Sequence, residues 1–284
     1  MRKGQRRSEV SMKKNSLYTY TTMEKRIREL EKQYPPEYFR VKSLGITHGK
    51  RQIYACSLGS SEAPGQFVIT ASIHGREYIN TTLLLETMEY YLEHYEGCYR
   101  ELWKEICVIF LPMTNPDGVC ISMSTEAKTW KENGRGVDLN RNFPCGFGQS
   151  PDRAKRNPGE TAGDQQETRC LMEFVNGLTN PLGIIHYHSR GNLIYYDYDV
   201  HGSLKSQITT MAAVTHRLTG YRLVENTKDT RPAGGFGDWC VYEKKIPSIT
   251  IETGFLKTPV PRWQLKGIIA KNLFLLRELF TCIL

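Results

Sequence analysis

A chain of 284 residues, 39% hydrophobic and 24% charged, holds enough apolar side chains for one sizeable core. Its apolar runs, such as Ile106 to Pro112 and Gly183 to Tyr187, fall far short of the roughly 20 residues a bilayer-crossing helix needs. The formal net charge of +8 owes much to Arg2, Lys3, Arg6, Arg7, Lys13 and Lys14 against Glu9, which marks a basic, disordered tail over residues 1–16 rather than a nucleic-acid surface.

No apolar segment follows that tail, so a secretory signal is not read and the expected location is the cytoplasm. The eight cysteines contain no Cys-x-x-Cys pair, and disulfide scaffolds belong to much smaller secreted chains, so reduced and mostly buried thiols are expected.

In chain order, Thr21-Thr22-Met23-Glu24 reads as a capping box, and Ile27 and Leu30 extend an apolar stripe that stops before Pro35-Pro36, which gives a first helix. Phe39 to Leu44 and Gln52 to Leu58 flank the turn residues Thr47-His48-Gly49-Lys50 and predict an antiparallel hairpin at a sheet edge. Phe67 to Ile73 is apolar almost throughout and reads as a strand. Leu84, Met88, Tyr91 and Tyr95 mark the next helix, and Ile106 to Pro112 the next strand. The stretch from Asn115 to Asp164 is rich in Gly, Pro, Asn and charge; a loop of that length is expected to wall a site. Cys170 to Leu178 reads as helix, Ile184 to His188, Leu193 to Tyr196 and Ser248 to Ile251 as strands, and Leu204 to Leu218 and Trp263 to Phe280 as helices. Continuous apolar strands alternating with helices predict a single α/β domain over residues 17–284, with a mixed, largely parallel twisted sheet and helices on both faces.

Ser72-Ile73-His74-Gly75-Arg76-Glu77 falls where an apolar strand ends and a helix begins, the place where ligands gather in open α/β sheets. His74 and Glu77 can converge on one ion there, although His-x-x-Glu by itself is also met in surface pairs. Zinc in hydrolases takes three protein ligands and keeps a fourth position for water, so a third donor is required. His186-Tyr187-His188-Ser189 offers two imidazoles on one strand face, of which one is needed.

Asn115-Pro116-Asp117-Gly118 and Gly136-Val137-Asp138-Leu139-Asn140-Arg141-Asn142-Phe143 complete a pattern. Together with His74-x-x-Glu77, Glu167-Thr168-Arg169, His188-Ser189 and Glu252-Thr253-Gly254 they run in order along most of the chain, which resembles the zinc carboxypeptidases, the carboxypeptidase A-like family. The resemblance implies that fold and one Zn2+ held by His74, Glu77 and His188, the family's third ligand being the His immediately before Ser. His186 is then a hydrogen-bonded strand neighbour. The resemblance further implies that Asp138 orients a ligating imidazole, and that Glu252 is the general base and later returns the proton to the departing amine. Asn140 and Arg141 match the pair that holds the free carboxylate of the leaving residue, and Arg76 matches a further substrate contact.

Two positions depart from the family pattern. Lys131, in Thr129-Trp130-Lys131, stands where the family commonly places an arginine beside the developing oxyanion, a point charge in place of a planar fork. The family's mobile tyrosine is missing upstream of Gly234-Gly235-Phe236-Gly237-Asp238-Trp239, and Gly237 falls at the base of the specificity pocket, which implies a roomy or polar pocket.

The run from His188 to Tyr196 and the spacing Trp130-Lys131-x-Asn133-x-x-Gly136-Val137-Asp138 resemble the bacterial branch that cleaves the γ-D-glutamyl-diaminopimelate bond of cell-wall peptides. Arg141, Arg190 and Arg231 would then read the charges of diaminopimelate. The expected activity is hydrolysis of that amide in imported or released muropeptides. A general metallocarboxypeptidase is the alternative, and a non-catalytic peptidoglycan-binding protein a third reading. The expected partner is a peptide, with neither nucleic acid nor membrane.

Overall fold

The computed structural model describes residues 16–97, 99–124, 126–150, 156–225 and 231–283. The expected tail over residues 1–16 lies outside them apart from Ser16. Two antiparallel strands, β1 (Phe39–Ile46) and β2 (Gln52–Leu58), form the predicted hairpin, and β1 is an edge of the sheet. The rest of the sheet comprises β3 (Gly65–Ala71), β4 (Ile106–Leu111), β5 (Pro181–His188), β6 (Leu193–Tyr195), β7 (Arg222–Val224) and β8 (Ser248–Glu252). The strand order is β1-β2-β4-β3-β5-β8-β6-β7. The centre, β4-β3-β5-β8, is parallel throughout, and the antiparallel pairs lie toward the edges.

The helices are α1 (Tyr20–Gln33), α2 (Ile79–Glu93), α3 (Leu102–Glu105), α4 (Pro116–Ser122), α5 (Gln166–Asn176), α6 (Gly202–Thr219), α7 (Phe236–Asp238), α8 (Leu265–Asn272) and α9 (Leu275–Ile283). They cover both faces of the sheet. Phe67, Ile69, Ile185 and Ile249 pack with Leu83, Met88, Met211 and Phe280 on one side. Val68, Ile109 and Ile184 pack with Leu171, Val175 and Trp239 on the other. Strand alternation sends neighbouring residues of β3 and β5 into opposite cores, which is why both strands read as unbroken apolar runs. No helix among the described residues is long and apolar enough to cross a membrane.

The path of the chain explains where the site forms. From β3 the chain crosses one face through α2 to β4, and from β4 it returns on the other face through α5 to β5. The strand order therefore reverses between β3 and β5, leaving a crevice at their carboxyl ends.

Several local expectations are corrected. The first helix is capped two residues earlier than the sequence pattern indicates: Thr19 is the N-cap and Thr22 its reciprocal partner. Glu24 instead accepts hydroxyl bonds from Tyr20 and Tyr54, a tertiary contact that takes it away from any cap. The C-terminal helix is two helices, α8 and α9, preceded by a single tighter turn at Arg262–Gln264. The middle segment contains the short helix α4 and a tight turn at Leu139–Arg141, while β7 and α7 were not foreseen.

Candidate functional site

His74 follows the end of β3 with extended backbone and heads the single turn Gly75–Glu77, which folds Glu77 back beside it. The turn is possible because Gly75 lies flat on α4: a Cβ there would stand 2.3 Å from the carbonyl oxygen of Gly118. The Asn-Pro-Asp-Gly motif is the clamp behind this contact. Asn115 caps α4 by accepting from Gly118 N at 2.9 Å, and its amide donates to the carbonyls of Ile73 (3.0 Å) and Glu132 (3.1 Å). Asp117 accepts from Thr47 Oγ1, Gly49 N and Arg51, which fastens α4 to the hairpin turn.

Across the crevice, β5 ends at His188 and β8 ends at Glu252, paired in parallel register. Asn80, fully buried in the first turn of α2, donates to His188 O at 2.9 Å, and its side-chain oxygen accepts from Thr253 Oγ1 at 2.6 Å. Thr253 N also donates to His188 O at 2.8 Å. Asn80 thus ties together the helix and both strands that carry the site. Sequence reasoning missed it, because nothing in its local spacing announces partners more than a hundred residues away.

The three side chains read as ligands converge. His74 Nδ1 lies 2.8 Å from Glu77 Oε1, His188 Nδ1 lies 3.0 Å from Glu77 Oε2, and the two Nδ1 atoms are 3.2 Å apart. All three residues are buried and form a group able to hold a metal ion. Their separations are close to the edge of about 3.4 Å for a tetrahedral site with nitrogen bonds of about 2.0–2.1 Å. The donor set fits zinc on chemical grounds as well, since imidazole nitrogens and a carboxylate oxygen are the ligands zinc takes in hydrolases.

Asp138 sits beneath them, fully buried, with Oδ1 3.3 Å from His74 Nε2, although that geometry falls short of a formed hydrogen bond. A carboxylate on this side favours the Nε2–H tautomer and leaves the Nδ1 lone pair for a metal. Burial pushes the Asp138 carboxyl up, but His74 and Lys131 outweigh that and hold it well below the usual carboxylate range. Glu77 is likewise pushed up by burial and held well below the usual range by His74 and His188.

Glu252 behaves in the opposite way. Its Oε2 is buried without a hydrogen-bond partner among the described residues. Burial and then the Glu77 charge push its pKa well above the ordinary glutamate value, against Lys131, Arg76 and Arg190. Two glutamates with oppositely displaced pKa values, side by side, are the arrangement expected of a ligand and a base.

His74, Arg76, Glu77, Lys131, Asn140, Arg141, His188, Arg190 and Glu252 line one cavity of about 480 Å³, which Asp138 does not reach. The Lys131 ammonium does not stand free in it: Nζ is held on Asp138 Oδ2, which Arg156 also approaches at 3.4 Å. Burial lowers the Lys131 pKa despite that partner. Asn140 spends its side-chain oxygen on Phe236 N (2.9 Å), while Arg141 donates to Asn140 O (2.6 Å) and Ser150 Oγ (3.3 Å). Arg76 reaches Thr129 O at 3.4 Å, and Arg190 and Arg231 are exposed at the rim. His186 is fully buried, and burial holds its pKa down to about 3, so it is neutral.

Comparison with known proteins places this geometry. A profile of the zinc carboxypeptidases matches residues 23–274. The chain is 23% identical over 276 residues to the gamma-D-glutamyl-L-diamino acid endopeptidase 1 of Lysinibacillus sphaericus, covering 86% of this chain and 67% of that protein. Among solved structures, the carboxypeptidase A of Helicoverpa armigera matches with a TM-score of 0.78 at 20% identity, covering 94% of this chain and 75% of that one. The murein-tripeptide amidase MpaA of Escherichia coli O157 matches with a TM-score of 0.56 at 18% identity, covering 84% and 92%. Likenesses at such identities establish the fold and leave the substrate to the chemistry of the site. The profile match takes in every strand of the sheet and all the residues that line the crevice, and the chain belongs to the zinc carboxypeptidase family of metallopeptidases.

Proposed function

We propose that this metallopeptidase hydrolyses the amide between γ-D-glutamate and diaminopimelate in bacterial cell-wall peptides. The observation that carries the hydrolytic reading is the meeting of His74, Glu77 and His188 beside Glu252, whose Oε2 is buried with no hydrogen-bond partner among the described residues. The substrate reading draws on the sequence similarity to an endopeptidase named for γ-D-glutamyl-L-diamino acid bonds, and on a cavity lined by Arg76, Arg141, Arg190 and Arg231.

His74, Glu77 and His188 would hold zinc, which when bound supplies a Lewis acid and a water of lowered pKa. Asp138 keeps His74 in the tautomer that presents Nδ1. Glu252 takes the proton of the attacking water and returns it to the departing amine, a double duty suited to a carboxylate whose pKa lies above the ordinary value. Lys131 supplies positive charge for the developing oxyanion from its seat on Asp138. Asn140 and Arg141 hold the carboxylate of the leaving residue, with Arg76 on the acyl side and Arg190 at the rim.

The test is turnover of L-Ala-γ-D-Glu-meso-diaminopimelate by zinc-loaded protein, beside an α-linked L-peptide of equal length. Release of diaminopimelate from the first with little turnover of the second supports the proposal; turnover of the α-linked peptide alone would identify a general carboxypeptidase. Glu252→Gln is expected to lower kcat by about 10²–10⁴-fold with zinc content retained. Unchanged turnover in that variant would remove Glu252 from the chemistry.

A further inference from the structure

One buried group in the cavity has no part in that mechanism. His186 lies two residues before His188 on the same face of β5 and pairs with Thr250, as His188 pairs with Glu252. The level of His186 and Thr250 is therefore about 7 Å deeper than the metal group, two strand residues at about 3.3 Å each. That depth is the reach of a side chain of three or four carbons.

The floor at this level is polar and fixed in place. His186 Nδ1 is engaged with Thr70 Oγ1 at 3.3 Å, and its ring packs on Phe236 at 4.7 Å, so the imidazole cannot turn away. Its Nε2 is buried in the cavity wall with no hydrogen-bond partner among the described residues. Buried polar atoms in native structures are nearly always satisfied, and an orphan lining a ligand cavity points to a ligand atom that satisfies it. Beside it stands Tyr198, which lines the same cavity as Thr250 and whose ring abuts Tyr242.

Gly237 explains how the two polar groups come together. A Cβ on Gly237 would stand 2.8 Å from Tyr198 Oη, 3.5 Å from His186 Cδ2 and 3.8 Å from His186 Nε2. The missing side chain therefore does not leave a hole. It admits the Tyr198 hydroxyl, delivered from the opposite wall, and the pocket expected to be roomy or polar has a polar floor.

We propose that His186 Nε2 and Tyr198 Oη together select the leaving residue by hydrogen-bonding the polar head of its side chain, three or four carbons from Cα. This deepens the function proposed above and rests on it for the choice of diaminopimelate. The chemical class it names is a leaving residue ending in an amino or amino-acid group, over one of equal length ending in a methyl group.

The test is kcat/KM for leaving residues meso-diaminopimelate, L-lysine and L-norleucine, each joined to the same γ-D-glutamyl acyl group and, in parallel, to an α-linked acyl group. The wild-type protein is expected to favour the polar residues over norleucine by at least about 10²-fold, since a site built to hydrogen-bond strongly rejects an analogue that lacks the group. Tyr198→Phe, which keeps the ring, and His186→Leu are each expected to cut that ratio about 10-fold or more, with norleucine turnover unchanged or raised. Equal ratios in wild type and Tyr198→Phe, at unchanged zinc content and melting temperature, would overturn the proposal. Failure to cleave the γ-D-glutamyl series while the α-linked series shows the same ratios would overturn the substrate reading and leave the polar floor standing. Calorimetric binding of free meso-diaminopimelate and L-norleucine to the zinc-loaded protein gives a readout independent of turnover. Tighter binding of diaminopimelate that is lost in Tyr198→Phe supports the floor, and equal binding of the two contradicts it.

Discussion

Lys131 is held by the same carboxylate that faces His74, so in the proposed mechanism one buried anion, Asp138, serves the metal side and the oxyanion side of the site at once. The consequence appears in the pH dependence. In the proposed mechanism Glu252 acts as a base in its ionised form, so activity is expected above its pKa and is lost as the pH falls through it. Burial and Glu77 raise that pKa and Lys131 lowers it. Removing the ammonium in Lys131→Met is therefore expected to move the acid limb of kcat/KM upward, besides lowering the rate by about 10²-fold. A limb that stays in place would mean that Lys131 does not act on Glu252. At this scale His74 and Glu77 were legible from their place at a strand end, and strand alternation narrowed the third ligand to His186 or His188; the choice of His188 and the parts of Asp138 and Glu252 came from the resemblance to the zinc carboxypeptidases. Asn80, the tie of Lys131 to Asp138, and the role of Tyr198 were not legible, because each depends on contacts that the fold alone creates.

Packing between the elements sets the geometry of the ligands. The Gly75–Glu77 turn rests on the carbonyl of Gly118 in α4, and Gly75 N donates to Lys131 O at 2.9 Å, so the metal turn, α4 and the Lys131 segment are one joint. Gly75→Ala is expected to cost about 1–3 kcal/mol by overpacking, measured by urea unfolding, and to weaken zinc binding because His74 and Glu77 must shift together. Gly267→Ala in α8 is the control: a Cβ there meets nothing within 4 Å, and the substitution gains about 0.5–1 kcal/mol of helix stability. Equal effects of the two would contradict the joint. The long elements were readable from apolar periodicity. The cap of α1 was misplaced because Thr19, Thr21 and Thr22 offer competing starts and Glu24 is drawn to Tyr54. The three-residue elements β7 and α7 carry too few residues to show a period.

The whole molecule gathers residues from widely separated parts of the sequence at one reversal of strand order. α1, first in the described chain, is pinned to α2 by the paired contacts of Arg26 with Glu89 at 2.8 and 2.7 Å, and the C-terminal helices α8 and α9 pack on the same face. The alternation of apolar strands and helices made the α/β class legible. The order β4-β3-β5-β8 and the antiparallel pairing of β6 with β8 were not, since pairing across a sheet is set by packing on both faces and leaves no local mark, whereas the edge hairpin of β1 and β2 was, because turn residues join its strands. The most direct measurement of the central claim is anomalous diffraction at the zinc edge from crystals soaked in zinc. A single strong peak bounded by His74 Nδ1, the Glu77 carboxylate and His188 Nδ1 is the predicted result. No peak at that position, or one held by other side chains, would contradict the account.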